Sequence, residues 1–190
     1  MRALLLALFL TSCATRGANQ LTEPVTLVAP DGAPLVLSDL LSATTRATVL
    51  VWWSSTCPCV RRYEARVRDL AARHPDLAFF HVASNADDGP EEIAHAQAPL
   101  PILHDIGGDL ATKLGVRSTP TAIVLAPSGE VLFRGWIDDE HDVDDPDRKP
   151  WLEDALARIE RGDTTLTQTP TWGCMVTRSL GQAGRCHTPR

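Results

Sequence analysis

The run Thr48–Trp53 (TVLVWW) constrains this chain more than any other stretch. An unbroken series of apolar and β-branched residues marks a strand buried on both faces, which belongs at the centre of a sheet covered by other layers. Directly behind it comes SSTCPCVRRYEARVRDL, residues 54–70. There Val60, Tyr63, Val67, Leu70 and Ala71 recur at helical spacing with arginines between them, and His74-Pro75 ends the element. A central strand therefore feeds into a helix through two cysteines and a proline.

The remaining segments supply partners for that unit. PVTLVAPDGAPLVLSDLL reads as a β-hairpin turning at Asp31-Gly32, followed by a short helical turn capped at Ser38. DLAFFHVAS is a second strand, and PEEIAHAQA and GGDLATKLGV read as helices, the latter closed by Gly115. TAIVLAPSGEVLFRGWI gives two strands joined at Pro127-Ser128-Gly129, and KPWLEDALARIERG a last amphipathic helix stopped by Gly162. Strands alternating with helices, then a hairpin and a helix, predict an α/β sandwich with a mixed central β-sheet flanked by helices and an N-terminal β-hairpin extension. With 190 residues and 44% apolar content there is material for one domain with a core. We place it at residues 24–162, followed by a polar, loop-like tail over 163–190 that carries Cys174 and Cys186.

The N-terminus reads as an address. Met1-Arg2 is a short positive region, and ALLLALFL is far shorter than the ~20 residues a spanning helix needs. Residues 1–12 are expected to be a signal peptide. Their end, LTSC, resembles the lipobox of bacterial lipoproteins, which implies cleavage before Cys13 and lipidation of that cysteine. Residues 13–23 then form a tether without periodicity. The expected location is the bacterial cell envelope, lipid-anchored and facing the periplasm, with the anchor as the membrane contact. A formal net charge of −6, with no basic cluster except the arginines of residues 54–70, argues against nucleic acid as a partner.

An exported protein meets an oxidising compartment, so cysteines 57, 59, 174 and 186 are read against that background. Cys57-Pro58-Cys59 closes too small a loop to be a structural staple. Pro58 suits the first helical position and makes Cys57 the N-cap. Its sulfur then faces unpaired backbone N–H groups and the positive end of the helix dipole, with Arg61 and Arg62 nearby, an environment that favours thiolate. Cys59 is harder to place, because residues two apart on a helix point to nearly opposite sides. A Cys57–Cys59 bond would be strained and oxidising. The alternative resolving thiol is Cys174, which could also pair with Cys186 as a structural bridge. Between the two resolvers the reading favours Cys59, whose proximity the chain itself fixes. Trp52 and Trp53 read as core and pocket wall.

Two features are discounted. DDEHDVDDPD, residues 138–147, carries seven carboxylates but lacks the glycine and spacing of a calcium loop, so it reads as a solvated connection. The six histidines are scattered. Cys57 and Cys59 with a distant histidine would give a copper site, but the cysteine spacing is narrower than in copper chaperones with such a ligand set, and no metal or cofactor is expected.

Taken together, the strand-CP-helix unit, Ser118-Thr119-Pro120-Thr121 entering a strand, and the SGEVLFRG hairpin resemble the thioredoxin fold over about residues 24–178. The resemblance is narrower with the AhpC/TSA-like redoxin branch, which includes peroxiredoxins and membrane-tethered thiol-disulfide oxidoreductases. Within it the chain is similar to a peroxiredoxin-like group marked here by Cys57-Pro58, Ile137-Asp138-Asp139 and Gly173-Cys174. It departs from that group in having Cys59. It departs from the full peroxiredoxin signature in having Leu50 where a proline would stand, although Ser54 suits the hydroxyl position. The resemblance implies a cis Pro120 opposite Cys57, with Thr119 presenting its backbone to an extended substrate, and it draws attention to Cys174. It implies thiol-disulfide exchange with protein or small-molecule substrates through Cys57, Cys59, Cys174, Thr119 and Pro120. The alternatives are peroxide reduction through a Cys57 sulfenic acid, and a copper-binding or non-catalytic module.

Overall fold

The structure is a computed structural model, described here for residues 19–41, 46–139 and 145–178. The signal, Cys13, the acidic residues 140–144 and Cys186 lie outside the described residues.

The elements follow as β1 Thr26–Val28, β2 Pro34–Val36, α1 Leu37–Leu40, β3 Thr48–Trp53, α2 Pro58–Arg73, β4 Ala78–Ala83, α3 Pro90–His95 and β5 Ile102–His104. After a 3₁₀ turn at Ile106–Gly108 come α4 Asp109–Lys113, β6 Ser118–Thr119, β7 Ala122–Leu125, β8 Val131–Gly135, α5 Trp151–Glu160, β9 Thr167–Gln168 and β10 Cys174–Met175. Eight strands form one sheet in the order β2-β1-β5-β4-β3-β7-β8-β9. The strands β3, β4 and β5 run parallel, β7 returns antiparallel beside β3, and β1–β2 is the expected N-terminal hairpin. The mixed α/β sandwich read from the sequence is the fold observed.

The centre of the sheet is β3, and all six of its residues are buried. Its period-2 alternation divides the core. Val49 and Val51 face the layer of α2 and α5, packing with Tyr63, Val67, Leu70, Leu152, Leu156 and Phe133. Leu50 and Trp52 face the other layer, with Leu27, Leu103, Leu110, Leu114 and Ile123. Each such fully buried side chain contributes roughly 1.5–3 kcal/mol of transfer free energy. Trp53 ends the strand in a third cluster with Cys57, Cys59, Val60, Ala83, Ile102 and Cys174. The candidate site thus sits at the carboxyl ends of the parallel strands, where open α/β sheets bind ligands.

Four local expectations are corrected. Val36, not Ser38, is the N-cap of α1. GGDLATKLGV is not one helix, because Gly107 and Gly108 take φ of 76° and 69° and only Asp109–Lys113 is α-helical. The cap is supplied from outside that segment by buried Asp105, whose carboxylate accepts Leu110 N and Ala111 N at 3.0 Å and Ser84 Oγ at 2.7 Å. Asp138 does not belong to a solvated connection. It is fully buried, paired with Arg66 of α2 at 2.8 Å and Arg148 at 3.1 Å. Finally, residues 163–178 are not loop-like: β9 lies parallel to β8 at the sheet edge, and β10 pairs antiparallel with β6.

Candidate active site

Cys57 is the N-cap of α2, with extended φ −86° and ψ 112°, and Pro58 opens the helix behind it. The Cys57 amide donates to the Ser54 carbonyl at 3.3 Å, which folds residues 54–57 into a tight approach from β3. Asp88, completely buried, holds that approach from below. Its carboxylate accepts Ser55 N at 2.8 Å, Ser55 Oγ at 2.6 Å and Asn85 Nδ2 at 3.0 Å. Sequence reasoning missed Asp88, since one more acid in ADDGPEE gives no signal of burial.

Opposite the N-cap lies the Thr119-Pro120 segment. The peptide bond between them is cis, and Thr119 is fully buried with its carbonyl oxygen 3.4 Å from Cys57 Sγ. Across this segment runs the chain after α5, as a strap. Thr169 accepts Trp136 N through Oγ1 at 3.1 Å and donates its amide to the Arg134 carbonyl at 3.0 Å. Trp172 packs edge-on against Trp136 at 4.0 Å between ring centroids and against Trp151 at 5.7 Å. Cys174 then pairs with Thr119 and Met175 with Ser118, while Val176 N donates to the Arg117 carbonyl at 2.9 Å. The far end is fixed by Thr177 N donating to Asn85 Oδ1 at 2.8 Å and by Arg178 donating to Gly107 O at 2.6 Å and to Thr112 Oγ1.

This strap delivers Cys174 to Cys57, and the two are disulfide-bonded with Cα atoms 5.9 Å apart, inside the usual span for a disulfide. The expectation that Cys59 is the favoured partner rested on chain proximity. Here proximity is supplied by strand pairing from 117 residues away in sequence instead. A Cys174–Cys186 bridge is likewise not formed by Cys174 in this state. Gly173 makes the approach close: at φ +116° its missing Cβ would be driven into the Thr119 carbonyl oxygen. Cys59 stands in the first turn of α2, fully buried, and the Sγ atoms of Cys57, Cys59 and Cys174 all lie within 4.8 Å of one another. They converge although Cys57 and Cys59 are two residues apart, because the extended N-cap backbone takes Cys57 off the helical cylinder. All three are oxidised in this state.

The surroundings are apolar and tightly held. Trp52 is core and donates Nε1 to Ser84 Oγ at 2.9 Å, whereas Trp53 forms the wall beside the sulfurs and donates to Glu64 at 3.2 Å. Arg61 and Arg62 project to solvent, with Arg61 donating to Ser55 O at 3.5 Å. His81 lies on β4 next to Trp53, their rings 6.5 Å apart, and burial pushes its pKa down to about 4, so the ring is neutral. Tyr63, over which Arg66 stacks at 4.7 Å, has its pKa pushed up by burial first and by Asp138 next.

A thioredoxin-like sandwich with a disulfide at the N-cap of its first long helix and a cis proline opposite defines the class of this protein. The AhpC/TSA family model matches residues 19–134, and the chain belongs to that family. No curated protein matches it. Among solved structures it is similar to an uncharacterized conserved protein from Geobacillus kaustophilus, with 22% identity, 86% of this chain and 93% of that one covered, and a TM-score of 0.72. MTB dsbF in its mixed oxidized and reduced forms aligns with 20% identity over 70% of this chain and 93% of its own, TM-score 0.52. The pneumococcal exposed lipoprotein thioredoxin of Streptococcus pneumoniae aligns with 21% identity over 73% and 99%, TM-score 0.51. At these identities the likeness is one of fold.

Proposed function

We propose that this protein is a thiol-disulfide oxidoreductase in which Cys57 attacks and Cys174 resolves. The observation that carries the reading is the Cys57–Cys174 disulfide, formed between a helix N-cap and a strand seated on the cis-proline segment. In the reduced protein the Cys57 thiolate attacks a substrate disulfide, releasing one substrate thiolate and leaving a mixed disulfide. Cys174 then attacks Cys57 Sγ, expelling the second substrate thiolate and closing the Cys57–Cys174 bond. Two electrons pass to the substrate, and a dithiol donor restores the protein. The N-terminal end of α2 stabilises Cys57 both as attacking and as leaving thiolate. Turnover of a model dialkyl disulfide with a dithiol donor tests this. Cys57→Ser is expected to abolish exchange, and exchange unaffected by that substitution overturns the assignment.

Membership of the AhpC/TSA family favours one further reading at the same sulfurs. Attack of the Cys57 thiolate on a hydroperoxide gives the alcohol and a Cys57 sulfenic acid, and condensation with the Cys174 thiol releases water and forms the same disulfide. Hydroperoxide consumption in the same assay, exceeding disulfide turnover, would select this chemistry.

The location is part of the proposal: export by residues 1–12 and lipid anchoring at Cys13, with the LTSC motif as support. Cys13→Ser is expected to release the protein from the membrane fraction, and unchanged anchoring and processing would overturn it.

A further inference from the structure

We propose that Cys59 is bonded to Cys186, so that a second disulfide ties the chain beyond the strap to the first turn of α2. Cys59 is oxidised to a disulfide, while the sulfurs of Cys57 and Cys174 are bonded to one another. A sulfur takes part in one disulfide, so neither of those two is its partner. Of the five cysteines in the sequence, at 13, 57, 59, 174 and 186, two remain.

Those two are approached from opposite ends of the sheet. Asn19 O accepts Val131 N at 2.8 Å and Gln20 pairs with Glu130, both beside the turn between β7 and β8. That turn lies beyond Leu125, which is paired with Thr48, the first residue of β3, whereas Cys59 comes after the last. The six residues of β3 alone put about 17 Å between these ends. From Asn19 the six residues back to Cys13 reach about 20 Å at full stretch, so they would have to run straight along the whole sheet.

The strap arrives at the other end. Thr177 N donates to Asn85 Oδ1, Asn85 Nδ2 donates to Asp88 Oδ2 at 3.0 Å, and Asp88 Oδ1 accepts Ser55 N at 2.8 Å. Two side chains thus link Thr177 to the approach that leads into Cys57 and Cys59. Cys186 follows nine residues later, with about 30 Å of chain in which to turn back. Reach and direction both assign the bond to Cys186.

Closing the bond removes two electrons and two protons from the Cys59 and Cys186 thiols. A disulfide donor takes them up and leaves as two thiols. The exchange steps proposed above use Cys57 and Cys174 and leave this bond closed. Once a substrate opens Cys57–Cys174, the second bridge keeps Cys174 at high effective concentration beside Cys57. That consequence rests on the exchange reading, whereas the pairing does not.

The test maps the oxidised full chain. Free thiols are blocked with N-ethylmaleimide, and the denatured protein is cut with trypsin without reduction. Peptides 47–61, 162–178 and 186–190 are expected as one species joined by two bonds, since Cys57 and Cys59 share the first peptide. In Cys59→Ser, peptide 186–190 should come free carrying the maleimide, while 47–61 stays joined to 162–178. Release of 162–178 instead, a blocked Cys186 in the parent, or Cys59 joined to Cys13 or to a second chain would each overturn the pairing. Retention of the strap is read in a glutathione redox buffer. There Cys186→Ser should lower the effective concentration of Cys174 toward Cys57 about tenfold, and a parental value overturns it. Turnover of a model disulfide is measured alongside: its absence in a protein that shows the three-peptide species overturns the exchange reading and leaves the pairing standing.

Discussion

The mouth of α2 and the strap hold the two halves of one disulfide, yet they are built differently. The mouth is local: β3, the Ser54–Cys57 approach and Pro58 are contiguous in sequence, and buried Asp88 clamps them from a loop at the end of the neighbouring strand. The strap is assembled from distant contacts, with backbone bonds to Arg134 and Arg117, an amide bond to the Asn85 side chain and the Trp172 ring against Trp136. On the proposed roles, an attacking Cys57 needs a fixed environment, which neighbouring residues can supply, and a resolving Cys174 needs to approach and retreat, which suits a segment held by a few strand-edge hydrogen bonds, each worth about 1 kcal/mol net.

The sharpest test of that contrast removes the buried anchor along the body of α2. Asp138 is buried between Arg66 on α2 and Arg148. Asp138→Ala leaves two guanidinium groups without their shared carboxylate and should cost ~3–5 kcal/mol in urea denaturation, against a far smaller loss for any exposed strap residue such as Met175. Equal losses at both would erase the distinction.

Acid should weaken the mouth next. The folded His81 pKa is about 4, below the unfolded value of about 6.5, so between those limits the unfolded chain binds the extra proton. Stability from this group is complete above pH 6.5, falls by about 3 kcal/mol as pH drops toward 4, and is flat below. Denaturation midpoints measured from pH 7 to 4 should show that slope, reduced in His81→Phe; an identical slope in the variant would assign the acid sensitivity elsewhere.

Third in size is the division of labour between the thiols. If Cys174 resolves, Cys174→Ser should cut turnover ~100-fold, about 2.7 kcal/mol, and trap mixed disulfide at Cys57, while Cys59→Ser stays within about threefold of the parent. Mass mapping of trapped species decides it, and the reverse pattern would return the resolving role to Cys59. The smallest effect belongs to Gly173→Ala. The added methyl meets the Thr119 carbonyl at a positive φ and should unseat the strap by ~1–2 kcal/mol. Formation of the Cys57–Cys174 bond should slow, and emission from the Trp172 cluster should shift as its packing loosens. A parental rate would mean the strap seats by side chains alone.

Much of this was legible because it depends on short-range pattern. The unbroken TVLVWW run could only be a doubly buried strand, Pro58 could only open a helix, and together they placed Cys57 at an N-cap. Asp105 and Asp138 were not legible as buried groups, because their burial depends on the amides of α4 and on Arg66 and Arg148, which sequence spacing does not bring together. The strands β9 and β10 were missed for a related reason. Two-residue pairings carry no periodicity, and a polar segment gains strand geometry only from the edge it meets.

What the sequence determined by itself was therefore the α/β layering and the place of Cys57 at the N-cap of α2, since hydrophobic period and proline geometry act within a few residues. The partner of Cys57 was decided only by the tertiary structure. Chain proximity pointed to Cys59, but a strand from beyond the last helix seats on Thr119, and the free energy of that pairing offsets the entropy of closing a long loop.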